Sequence, residues 1–178
     1  LASGAVHTIH CNFTASTTDF PAKLHTATVD TAQTNPMASP TLSVGVGYPQ
    51  TATAVSAGHQ HTCAILADDS LKCWGRNQSG QLGQGHATTL GDGDGEMAFL
   101  TPIDLGAGRT VTEVAAGGEH TCALLDNGTV KCWGNNAFGQ LGLGNTANRG
   151  DGAGEMGDAL PAVNLGTGRT ATAIAAGF

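Results

Sequence analysis

Apolar residues along this chain fall in short runs closed by glycine, asparagine and aspartate, the pattern of strands joined by tight turns. Thr121-Cys122-Ala123-Leu124-Leu125 and Thr129-Val130-Lys131-Cys132-Trp133 flank Asp126-Asn127-Gly128. A three-residue loop ending in a left-handed glycine predicts a β-hairpin with a bulge. An earlier stretch has the same layout with Asp69 in the glycine's place, and aspartate tolerates that conformation better than most residues. Gly75 to Gly80 reads as a turn and Gly91 to Gly95 as a longer loop.

The hairpins belong to a repeat. Val55 to Leu66 recurs as Val114 to Leu125, an offset of 59 residues. Lys72-Cys73-Trp74-Gly75 recurs as Lys131-Cys132-Trp133-Gly134, and Gly80-Gln81-Leu82-Gly83 as Gly139-Gln140-Leu141-Gly142, at the same offset. A further copy opens at Ile174-Ala175-Ala176-Gly177. Repeats of this length built from short strands are the signature of a β-propeller. The expected fold is therefore all-β, a partial propeller of about three blades. Residues 51–109 and 110–169 are expected to form one blade each, and 170–178 to start another. Residues 1–50 are read as a divergent blade, because Pro40 to Gly47 parallels Pro161 to Gly168; a Thr/Ser/Pro-rich linker is the plainer alternative. The last copy stops inside its motif, so the chain is expected to be a piece of something longer.

The motifs Gly-x-x-His-Thr-Cys-Ala and Cys-Trp-Gly-x-Asn-x-x-Gly-Gln-Leu-Gly resemble those of the regulator of chromosome condensation repeat family, in a cysteine-bearing form. The likeness covers residues 51–178 well and the preceding ones weakly. It implies a seven-bladed ring, completed by blades outside this sequence or by other chains. It also implies one functional alternative, a chromatin-associated guanine-nucleotide exchange factor for the GTPase Ran.

Composition narrows the classes. Charged residues are 12% and apolar ones 40%, which argues against a solvated disordered chain. Glycine, at 27 residues, together with frequent threonine, argues against a helical bundle. No run approaches the roughly 18 apolar residues of a membrane span. The net charge is −7, and Lys23, Lys72, Arg76, Arg109, Lys131, Arg149 and Arg169 are scattered. Nucleic acid selects clustered cations, so it is not an expected partner.

Four cysteines form matched pairs, Cys63 with Cys73 and Cys122 with Cys132, and Cys11 is left over. Across a three-residue hairpin each pair faces directly, within reach of a disulfide. Buried thiols are the plainer alternative. Zinc with His61 is a third reading, weakened because Gly118 replaces His59 in the next copy and leaves too few ligands. Trp74 and Trp133 are expected between blades, and His61 and His120 in structural hydrogen bonds. Asp92, Asp94 and Glu96 alternate as in half of a calcium loop, although the second copy loses the middle carboxylate. No other cofactor is expected. Asn127, Asn12 and Asn77 stand in glycan-acceptor triplets, which count only in a secretory setting. Asn127 at a hairpin tip is the best placed, whereas Asn77 matches Asn136, which is no acceptor, and is expected to serve its turn.

His86 to Leu90 and Asn145 to Arg149 differ at every position between the two copies. Loops that vary on a constant repeat tend to be the binding face. His86, Thr88, Leu90, Asn145, Asn148 and Arg149 are therefore the candidate partner-facing residues. No nucleophile elbow, phosphate loop or dinucleotide fingerprint occurs. The leading expectation is a non-enzymatic extracellular or cell-surface module for structural assembly or protein recognition, with a protein partner or a second copy bound. A secreted enzyme-inhibitor propeller is the other alternative.

Overall fold

A computed structural model describes residues 51–178 and two short strands near the N-terminus. Within Leu1–Tyr48, β1 (Thr26–Thr28) pairs antiparallel with β2 (Thr41–Ser43), and Ala27 faces Leu42. The rest of the divergent-blade reading lies outside the described residues, as do Cys11 and Asn12.

Pro49–Phe178 is a second compact unit. It holds two three-stranded antiparallel meanders built alike. The first contains β3 (Ala52–Ala57), β4 (His61–Leu66) and β5 (Leu71–Gly75). After a short helical turn, α1 (Glu96–Phe99), the second contains β6 (Val111–Ala116), β7 (His120–Leu125) and β8 (Val130–Gly134). After each meander the chain also runs back along the far end of the outer strand. Ile103 N–H donates to the Leu71 carbonyl at 2.8 Å, and Val163 N–H to the Val130 carbonyl at 2.8 Å.

The repeated sequence produces repeated local geometry. Both hairpins turn on a left-handed residue, Asp69 at φ 60° and Gly128 at φ 76°. Both first strands shift register at a threonine, between Ala52 and Ala54 and between Val111 and Glu113. The displaced hydroxyls are satisfied across the strand: Thr53 Oγ1 donates to the Ile65 carbonyl and Thr112 Oγ1 to the Leu124 carbonyl.

The main core lies between the blades. Cys63, Ile65, Leu71 and Cys73 of the first meander, with Leu82 from the turn after it, meet Val111, Val114, Ala123, Leu125, Trp133 and Leu160. A second cluster of Cys122, Leu124, Val130, Cys132 and Leu141 is covered by Val163, Ala171 and Ile174. Residues 170–178 thus lie against the second blade as 110–118 lie against the first. The backbone bonds confirm the parallel: His59 N–H reaches the Gly117 carbonyl at 3.2 Å, and Gly118 N–H the Gly177 carbonyl at 3.1 Å. Among the described residues no helix is long and apolar enough to cross a membrane.

Candidate functional site

The register brings the cysteines together. Cys63 faces Cys73 and Cys122 faces Cys132, with Cα separations of 4.0 and 4.1 Å, the close spacing of non-hydrogen-bonded antiparallel positions. Both pairs are disulfides. All four residues are buried, so the bridges bind the middle and outer strands of each blade from inside. With the sulfurs joined to each other, His61 has no thiolate neighbour with which to hold zinc.

The loops after β5 and β8 are fixed by asparagines. Asn77 is fully buried; its side-chain amide donates to the carbonyls of His86 at 2.7 Å and Thr88 at 3.0 Å, and its Oδ1 accepts from Leu82 N–H at 2.9 Å. Asn136 repeats the arrangement with Asn145 at 2.9 Å, Ala147 at 2.8 Å and Leu141 N–H at 3.1 Å. Asn77 thus serves its turn, as its match to Asn136 suggests, and is corrected as a glycan-acceptor candidate, because its amide is enclosed and engaged on both atoms. Asn127 is exposed at the hairpin tip, where its Oδ1 accepts from Thr129 N–H at 3.1 Å and Thr129 Oγ1 at 2.7 Å.

The candidate binding loops divide in two. Thr88 and Asn145 are exposed, and His86 is half-buried. Leu90 is corrected: it bridges Gly75 and packs on the main core, whereas Arg149 bridges Gly134 through its backbone alone and stays half-exposed. Asn148 is spent inward, its Oδ1 accepting from Asn136 N–H at 2.9 Å. The exposed crest is therefore residues 87–88 and 145–147. Phe138, 93% exposed in a turn where the first blade has Ser79, is an outward apolar residue that the sequence reading missed.

The calcium expectation is corrected as well. Glu96 Oε2 accepts from Gly91 N–H at 2.7 Å and Gly93 N–H at 3.0 Å, and these amides, Gly93 foremost, hold its carboxyl below the usual range. Glu155 makes the same contacts with Gly150 and Gly152 at 3.0 and 2.8 Å. The glutamate is a loop staple, which explains why its repeat survives the loss of the middle aspartate. Among the described residues, no three His, Cys, Asp or Glu side chains gather as a metal site.

At the seam the chemistry is more specific. Trp133, fully buried, donates its indole N–H to the Gln81 carbonyl at 3.0 Å, and Thr121 Oγ1 donates to the same oxygen at 2.9 Å. His61 Nε2 lies 2.9 Å from Thr121 Oγ1. Beside it, Arg76 and Glu119 pair at 3.1 Å, half-exposed. The constant motif residues of one blade thus form the receptor for Thr and Trp of the next. The repeated His-Thr step hinted at this, but the partner lies sixty residues away.

Paired antiparallel meanders with a shared core and repeated seam contacts define a β-propeller assembly. Regulator of chromosome condensation (RCC1) repeats match at residues 68–124 and 127–177, and a second description of the same repeat matches 52–81 and 111–140. The chain belongs to the RCC1 repeat family. It is 37% identical over 95 residues to the ultraviolet-B receptor UVR8 of Arabidopsis thaliana, covering 53% of this chain and 20% of that protein. It is 39% identical over 100 residues to the probable E3 ubiquitin-protein ligase HERC3 of Homo sapiens, covering 56% and 9%. The fold is similar to Prp20p of Saccharomyces cerevisiae, described with its binding to Gsp1p and histones, with a TM-score of 0.51 and 18% identity over 78% of this chain and 32% of that one. The chain spans a fifth or less of the length of these curated relatives.

Proposed function

We propose that this protein is a non-enzymatic propeller module for protein recognition or assembly, displayed outside the reducing cytoplasm. The observation that carries the reading is the pair of loops held by Asn77 and Asn136. Their carbonyl contacts fall at equivalent positions, yet the residues from His86 to Leu90 and from Asn145 to Arg149 differ throughout. A fixed backbone with changed side chains is how a repeat scaffold varies what it binds without altering its fold. Phe138 adds an exposed aromatic, a residue type favoured at protein interfaces. The two disulfides support an oxidising location, since reducing compartments keep such thiols apart. Protein binding by the yeast relative named above supports the same class of partner.

Sedimentation velocity tests the reading on variants in which residues 87–88 and 145–147 are replaced while Asn77 and Asn136 are kept. The expected result is an unchanged circular dichroism spectrum with loss of self-association. Association that survives these changes but fails when Val55, exposed on the open side of the first blade, is altered would overturn the loop reading in favour of packing through that apolar side.

A further inference from the structure

We propose that the His61–Thr121 contact makes the seam between the two blades an acid-sensitive joint. The hydrogen-bond arrangement fixes the imidazole. Thr121 Oγ1 has one proton and spends it on the Gln81 carbonyl at 2.9 Å. His61 Nε2, 2.9 Å from that hydroxyl oxygen, is therefore the donor, and Nδ1 is bare. Nδ1 is buried and has no hydrogen-bond partner. The ring is boxed in by Gly58, where even a Cβ would come within 2.5 Å of His61 Cε1. A proton added at Nδ1 creates a charged N–H with no acceptor, and opening the seam is the way to hydrate it.

The surrounding groups offer no compensation. From the β3–β4 turn comes His59, which is exposed. Arg76 after β5 and Glu119 before β7 are engaged with each other at 3.1 Å. Glu113 on β6 accepts from Ile174 N–H instead. His120 on β7 is buried, and as a second imidazole it opposes a charge on the first. The Gln81 turn and β8 bring the carbonyl and the Trp133 indole, neither of which titrates. Burial foremost, with His120 second, lowers the His61 pKa from 6.5 to about 4. A group lowered in this way stabilises the closed seam fully above its free value of 6.5. That stabilisation is lost progressively as the pH falls from 6.5 towards about 4.

Urea unfolding of the chain with its disulfides intact, followed by Trp133 emission in a Trp74→Phe background, tests this from pH 7.5 to 4. The folding equilibrium should weaken on the order of a hundredfold across that range. His61→Gln, which can still donate to Thr121 but does not titrate, should lose most of that dependence, and a wild-type slope in His61→Gln would overturn the proposal. Should that variant not fold, the ring itself is read by NMR in the unaltered chain. A neutral Nε2–H imidazole persisting to about pH 4 is expected; a ring that titrates near 6.5, or carries its proton on Nδ1, overturns it.

Discussion

Val55 and Val114 hold the same register position in consecutive blades, opposite Ala64 and Ala123, yet Val55 is 61% exposed and Val114 only 8%. The difference is what lies in front of them. Val114 faces the body of the first blade, whereas the corresponding side of the first blade is open among the described residues. Trp74 and Trp133 repeat the contrast, half-exposed against fully buried.

Truncation at these two sites should therefore give unequal effects. Val114→Ala removes buried methyl groups and leaves a cavity at the seam, an expected cost of about 1–3 kcal/mol. Val55→Ala should stay within about 0.5 kcal/mol. Urea denaturation of both variants gives the comparison, and equal losses would mean that the seam is not where the stability resides.

The buried asparagines should be more sensitive than their loop setting suggests. Asn77→Ala leaves the carbonyls of His86 and Thr88 and the Leu82 N–H without their partner, an expected loss of about 3 kcal/mol. Faster hydrogen exchange should accompany it, confined at first to the loop. A variant within about 0.5 kcal/mol of the parent would show that water replaces these bonds freely.

Much of this architecture was legible because it is local. Hairpin length fixed the register, the register placed Cys63 opposite Cys73, and the residue in the third loop position announced the left-handed turn. Loop chemistry was harder. Asn77 stands in a triplet that also reads as a glycan acceptor, and its carbonyl partners lie nine and eleven residues on, in a stretch with no periodic pattern. The carboxylates of 92–96 matched an ion-binding spacing, but spacing alone did not reveal that Glu96 turns back to its own backbone. Contacts between blades were least visible. Val55 and Val114 are the same residue in the same motif, and only the packing of one blade on the next separates them.

Calcium should leave the protein unchanged. Glu96 and Glu155 are committed to backbone amides, so millimolar calcium or a chelator should not move the melting temperature. A rise in that temperature that Asp92→Asn or Asp94→Asn abolishes would restore the ion-binding reading.

Each disulfide should stabilise its own blade. Joining residues ten apart restricts the unfolded chain, and replacing Cys122 and Cys132 together by serine should cost about 2–3 kcal/mol. The expected sign in thermal denaturation is a lower midpoint for the variant and for the reduced parent alike. Equal midpoints with and without reductant would contradict it.

The proposal of an oxidised recognition module is tested most directly by non-reducing peptide mapping. The protein is taken from the cells that make it and alkylated in denaturant before any reductant is added. The account predicts linked peptides joining Cys63 to Cys73 and Cys122 to Cys132. Recovery of those four residues as alkylated thiols would contradict it, and would place the blades in a reducing compartment.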